Sequence, residues 1–427
     1  MKPIFCFVVV MFAALAPSQR VPRRMSLAEA IQLAHQDSPI LGAAKSDAAA
    51  ARAGARATKA GTLPQLSANG FATTGNNVSI VSSSPMVEPA AWMLVPTGSF
   101  LDGNLSLMIP IIAPRAYAMA GVANWQARAA AGELAEATAE LDLQVTDAYD
   151  RVLLARQMVL AGEAKLAAAY ELVSTTQALF DAGKGIGASV QRTQAELSQA
   201  QRLLTTVYNE EAKSILDLQA LIGMDMSLPV DPSDTLVGAA PPVGLDEFLV
   251  RAKQSRGMLL AARARLQASN WEVRSAEGQR LPQLYGVAMG DATSRRDMGG
   301  VTAGLTLSLP LFDGGRISAE TSKAKAMRAK ADAEVRQAEL TVEKEVRQAW
   351  LDVRTAKANA ESADSAVKAA QSAYDVTALR VSAGKSILVE QLDALEALTR
   401  AKADLAQATF DQAIASARLV RAAGGKP

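Results

Sequence analysis

Val301-Thr302-Ala303-Gly304-Leu305-Thr306-Leu307-Ser308-Leu309-Pro310-Leu311-Phe312-Asp313-Gly314-Gly315-Arg316 changes character halfway along. Its odd positions from Val301 to Leu309 are apolar, and its even positions are Thr, Gly, Thr and Ser. Unbroken alternation of period two predicts a strand with one apolar face. Pro310 ends the strand, and Gly314-Gly315 marks a turn. A long helical run then extends from Arg316 to Ala383. Near ~1.5 Å per residue, roughly 65 residues reach about 100 Å.

The same plan occurs earlier in the chain. Leu101–Ile109 alternates in the same way, and Pro110 matches Pro310 at an offset of 200 residues. Upstream, a shift of 218 places Leu63-Pro64-Gln65-Leu66 on Leu281-Pro282-Gln283-Leu284, with Leu27, Glu29, Gln36 and Arg56 on Leu245, Glu247, Gln254 and Arg274. The first copy carries extra length around Asn76–Pro96, rich in Ser, Pro, Asn and Gly. Downstream the offset is 201, so Ala182-Gly183-Lys184 meets Ala383-Gly384-Lys385. Two copies of one unit, over 19–225 and 244–427, are therefore expected, joined by a proline-rich linker at 226–243.

Each copy is expected to hold a helix of about 35 residues (Leu27–Gly61 or Leu245–Arg280), two short strands, a very long helix and a final helix. Ser26, with Glu29 three residues on, fits a capping box. The partner strands are expected at Pro64–Thr73 and Pro282–Ala292, which alternate less cleanly. Each strand is ~9–11 residues long, the span of a tilted membrane strand. A soluble hairpin packed on helices fits the alternation equally well. Val145, Tyr149, Val152 and Val159, with Val346, Trp350, Val353 and Ala360 in the second copy, step as coiled-coil core positions do.

Composition narrows the function classes. The 44 basic and 43 acidic residues give a net charge of +1, so nucleic acid is not an expected partner. Lys2 and the apolar stretch Ile4–Ala16 read as an export signal over 1–18. Cys6, the only cysteine, lies inside it, so the mature chain is expected to have neither disulfide nor thiolate metal site. No later stretch matches a transmembrane helix, so a membrane form would have to be a barrel. No catalytic or cofactor constellation is visible. His35 is the single histidine, and no Walker lysine follows Gly314-Gly315. The chain is read as neither an enzyme nor a cofactor or metal binder.

In order and duplication, the markers resemble the TolC family of outer-membrane efflux proteins. They are Ser26-Leu27-Ala28-Glu29-Ala30-Ile31 with Ser38-Pro39, Leu-Pro-Gln-Leu in both copies, Leu309-Pro310-Leu311-Phe312-Asp313-Gly314-Gly315-Arg316, and the glycine turns after Phe180 and Arg380. The first copy departs at Pro110-Ile111-Ile112-Ala113-Pro114-Arg115, which lacks the Phe-Asp-Gly-Gly run and leaves its strand-to-helix turn open. The resemblance implies a mainly α fold of duplicated long-helix and β-hairpin units. It further implies a homotrimer in which a helical tunnel in the periplasm joins a twelve-stranded barrel in outer-membrane lipid. Its implied role is the passive exit duct of a tripartite efflux pump, served by an inner-membrane transporter and a periplasmic adaptor. A type I protein secretion duct, or a periplasmic coiled-coil scaffold outside any membrane, are the alternatives.

The resemblance also implies sites. Gly384–Asp393 resembles the helix start at the periplasmic tip, where acidic residues point into a narrowed entrance. Glu390 and Asp393 match by spacing from Gly384 and, three apart, share one helix face. Three copies would gather six carboxylates, a ring that favours cations. Ordinary acids near a helix N-terminus are the plainer reading. Gly183 and Gly384 fall at the two tip turns, where glycine permits left-handed backbone. Lys184 and Lys385 follow as candidate adaptor contacts, or as solvated turn residues.

Overall fold

The computed structural model describes residues 23–73, 79–83, 91–95, 100–238, 244–293, 299–383 and 385–425. The expected signal with Cys6, Gly384, and parts of the 76–96 insertion and of the linker lie outside the described residues. In chain order the elements of the first half are β1 (Arg23–Met25), α1 (Leu27–Asp37), α2 (Pro39–Ala60), β2 (Gln65–Thr73), β3 (Ser79–Ser83), β4 (Ala91–Val95), β5 (Phe100–Ile112), α3 (Pro114–Asp181) and α4 (Gly187–Ile222). The second half holds β6 (Val230–Pro232), α5 (Leu245–Ser255), α6 (Gly257–Gly278), β7 (Gln283–Thr293), β8 (Gly300–Ser308), α7 (Arg316–Ser382) and α8 (Leu388–Ala422). Among the described residues, no helix is long and apolar enough to cross a membrane.

The long helices begin and end close to where the sequence places them, but each expected 35-residue helix is two helices. The first breaks at Ser38, whose backbone is extended (φ −64, ψ 123), because the proline at 39 disfavours helical backbone before it. The second breaks at Arg256 with the same geometry (φ −65, ψ 119) and no proline. Here packing supplies the cause. A Cβ on Gly257 would stand 2.6 Å from both the Glu136 nitrogen and the Gly132 carbonyl, so the α6 start lies directly on α3 backbone. Arg256, 2% exposed, pairs with Glu136 at 3.2 Å.

The chain divides into two compact units, 1–42 with 138–248 and 345–427, and 43–137 with 249–344. In the first, Val145, Tyr149, Val152 and Val159 of α3 and Val346 and Val353 of α7 are buried, as the heptad spacing requires. The Tyr149 hydroxyl lies 2.9 Å from both the Met25 carbonyl and the Asp234 carboxylate, which also accepts from the Leu27 amide at 2.8 Å. These bonds tie the parallel pair β1–β6 to α3. Ser26 caps α1 with the full capping box.

The second unit carries a four-stranded sheet of order β2-β5-β7-β8, with every neighbouring pair antiparallel. The register assembles one face from Leu66, Ala68, Gly70 and Ala72; Leu101, Gly103, Leu105, Leu107 and Ile109; Leu284, Gly286, Ala288, Gly290 and Ala292; and Val301, Ala303, Leu305 and Leu307. No polar side chain interrupts it. Val301 is 86% and Leu305 70% exposed, so in this chain the apolar face is bare. The opposite face carries Gln65, Ser67, Asn69, Asn104, Ser106, Gln283, Thr302, Thr306 and Ser308 beside Tyr285, Val287 and two methionines. There Ser67 and Ser106 bond hydroxyl to hydroxyl at 2.7 Å, and Asn69 donates to Asn104 at 3.0 Å. β3 and β4 pair antiparallel as a separate two-stranded sheet inside the segment read as extra length.

Candidate functional site

Two helical turns hold the residues that the sequence singles out, both in the first unit. α3 ends in a left-handed glycine: Gly183 has φ 70, its amide donates to the Phe180 carbonyl at 2.9 Å, and the Lys184 amide reaches back to Leu179 at 2.9 Å. This pairing satisfies carbonyls that the helix end would leave open. Ile186, extended at φ −109, starts α4. Below it, Thr176 and Thr193 join hydroxyl to hydroxyl at 2.9 Å, above a cluster of Ala169, Leu197 and Ala200. Lys184 is exposed.

The second turn repeats the pattern. The Lys385 amide donates to the Arg380 carbonyl at 2.8 Å, and Ile387, extended at φ −96, starts α8. Gly384 lies outside the described residues. Glu390 and Asp393 occupy the first turns of α8, both exposed, while Leu392, Leu395 and Leu398 of the same helix are buried. The Ser386 hydroxyl donates to the Glu390 carboxylate. The 201-residue offset places Ser189 and Arg192 where the second copy has Glu390 and Asp393, so the two helix starts differ in charge.

Sequence reasoning missed Tyr374, on α7, whose hydroxyl pKa burial raises and which bonds Gln391, next to Glu390. A lone tyrosine in a helical run gives no local sign of such a partner. It also missed Asp150 of α3. Burial, with Asp147 and Asp234 nearby, pushes its carboxyl up to about 7. At the start of α7, in the second unit, Asp313 accepts from the Gly315 and Ile317 amides at 3.0 and 2.7 Å, and these bonds hold its pKa below the usual range.

The model of the family described as "Outer membrane efflux protein" matches residues 30–224 and 248–425. The outer membrane efflux protein BepC of Brucella suis is 27% identical over 287 residues, covering 66% of this chain and 62% of BepC. The outer membrane protein TolC of Vibrio cholerae is 23% identical over 410 residues, 93% of this chain and 90% of that protein. The chain thus spans under two thirds of some relatives and nine tenths of others. Among solved structures, the Vibrio cholerae outer membrane protein VceC superposes with a TM-score of 0.77 at 19% identity, covering 93% of this chain and 96% of VceC. CusC gives 0.78 at 17% identity, over 95% and 93%.

Proposed function

The chain belongs to the outer membrane efflux protein family, and on that premise we propose that it is the outer-membrane channel-tunnel of a tripartite efflux pump. It is a passive exit duct that receives cargo from an inner-membrane transporter through a periplasmic adaptor. One observation carries the reading: a four-stranded sheet whose one face holds only Leu, Ile, Val, Ala and Gly, and whose edge strands β2 and β8 are paired on one side only among the described residues. Lipid tolerates the apolar face but not open edges, so the sheet must close with other copies. Three copies give a twelve-stranded barrel with the polar face lining the bore. Residues 1–18 are the export signal, 226–243 the linker between the two repeats, and the tip turns at Gly183-Lys184 and Gly384-Lys385 meet the adaptor. Protein in detergent is expected to be trimeric and to form conductances in planar bilayers. A monomer without conductance overturns the reading.

Glu390 and Asp393 form the acidic entrance. Six carboxylates near one axis attract cations more strongly than isolated surface acids do. Glu390→Gln with Asp393→Asn is expected to reduce cation preference and block by multivalent cations in single-channel recordings, with assembly intact. Unchanged selectivity and block would remove these residues from the gate. Export of a protein is the second reading. It is favoured by a 23% identity over 291 residues to the alkaline protease secretion protein AprF of Pseudomonas aeruginosa.

A further inference from the structure

The sheet contains a template for the contact between copies, and the inference drawn from it rests on the trimeric reading above. β5 is the last strand that the first sequence copy gives to the sheet, and β7 is the first strand from the second. They pair with Met108 opposite Val287, Ile109 opposite Gly286 and, after a shift beyond Pro110, Ile112 opposite Leu284. By sequence, β8 corresponds to β5 at an offset of 200, and β2 to β7 at 218. A copy's end meeting a copy's start therefore occurs once inside the chain. The remaining end and start are the two edge strands.

We propose that β8 of one subunit pairs antiparallel with β2 of the next in the register of that internal seam, Ser308 opposite Asn69 of the partner subunit and Leu307 opposite Gly70 of the partner subunit. Two features not used to derive the register agree with it. It sets Leu307 with Gly70 on the apolar face and Ser308 with Asn69 on the polar face, whereas a one-residue slip would oppose the faces. It also continues a size pattern, since Leu105 and Ile109 lie opposite Gly290 and Gly286 in the internal seam. Carried past Pro310, the register brings Phe312, 91% exposed, opposite Leu66 of the partner subunit, a residue 70% exposed in the lone chain. Each bare side chain thus gains an apolar neighbour.

Cysteine pairs test this in a Cys6→Ser background. Within one chain β2 and β8 stand three strand spacings apart, about 14 Å, beyond disulfide reach, so any bond joins subunits. Asn69→Cys with Ser308→Cys, and Gly70→Cys with Leu307→Cys, are adjacent pairs, one of which is the closer, non-hydrogen-bonded kind. At least one is expected to convert most of the protein to a covalent trimer under mild oxidation. The slipped pair Asn69→Cys with Thr306→Cys is expected to link roughly tenfold less, its Cβ atoms being about 7 Å apart. Equal or better linking by the slipped pair overturns the register. So does failure of both in-register pairs in protein that is trimeric in detergent. Monomeric protein overturns the duct reading instead.

Discussion

The two strand-to-helix turns of the second unit do one job in opposite ways. At the first, β5 runs to Ile112, Ala113 is fully buried, and Pro114 opens α3 directly, a position where proline loses no helical hydrogen bond. At the second, β8 stops at Ser308, Leu311 and Phe312 stand 90% and 91% exposed, Gly314 and Gly315 adopt φ 62 and 88, and the Asp313 carboxylate ahead of them accepts from the Ile317 amide at the start of α7. The first turn follows a strand flanked by two others, and the second follows an edge strand. The sequence difference tracks the environment: a short apolar turn where the chain covers itself, a projecting apolar turn where it does not.

The sharpest way to break this contrast is to place the same charge in both turns. Ala113→Asp buries an uncompensated carboxylate and is expected to cost about 3 kcal/mol or more, read as lost folded protein. Phe312→Asp should leave the subunit's fold unchanged and weaken the trimer in detergent. If both variants behave alike, the two turns are equivalent. Next, the internal helix contact is compared with a free helix face. Gly257→Ala meets backbone at 2.6 Å and is expected to lower stability by about 1–3 kcal/mol. Gly54→Ala on α2, with nothing within 4 Å, should raise it by about 0.5 kcal/mol. Thermal melts in detergent distinguish the two signs.

The long helices carry the contrast into the first unit. Asp150 is 9% exposed, and the residue 201 later, Leu351, is 57% exposed. Because burial raises the Asp150 pKa to about 7, the folded chain holds this proton more tightly than the unfolded one. Its stability is full below the ordinary carboxylate range and is lost as pH rises through about 7. Asp150→Asn is expected to stabilise the protein at pH 8 by on the order of 2 kcal/mol, after allowing for solvent access, and hardly at all at pH 4. A gain that does not change with pH would refute the buried-carboxyl account. The smallest effect belongs to Asp313. Its lowered pKa means a contribution present at neutral pH and lost on acidification through the folded-state value. Asp313→Ala should lower the melting temperature slightly at pH 7 and not at pH 2.

What the sequence made legible was local or periodic. Val301–Leu309 alternates without a break, and β8 covers it up to Ser308. Ser26 and Glu29 announced a cap that forms. The break at Arg256 stayed hidden because its cause, the backbone of Gly132 and Glu136, lies more than a hundred residues away. The three-residue strands β1 and β6 pair across some 200 residues and are too short to show a period. β3 and β4 fell among the serines and prolines of the insertion. At the two helical turns, the glycine could be read from Gly183, but Glu390 and Asp393 were singled out by resemblance. A lone chain presents them as two exposed acids on one helix.

The edge strands β2 and β8 are different strands, so the proposed contact between them would be heterologous: one patch meets another, and each copy keeps one of each to offer. Such a contact stops only when rotation closes the ring, and otherwise propagates as a filament. Copy number is then set by the curvature accumulated across four strands rather than by a counting residue. Gly286 and Gly290 of β7 sit where such curvature is most easily introduced, since strands bend most readily at glycine.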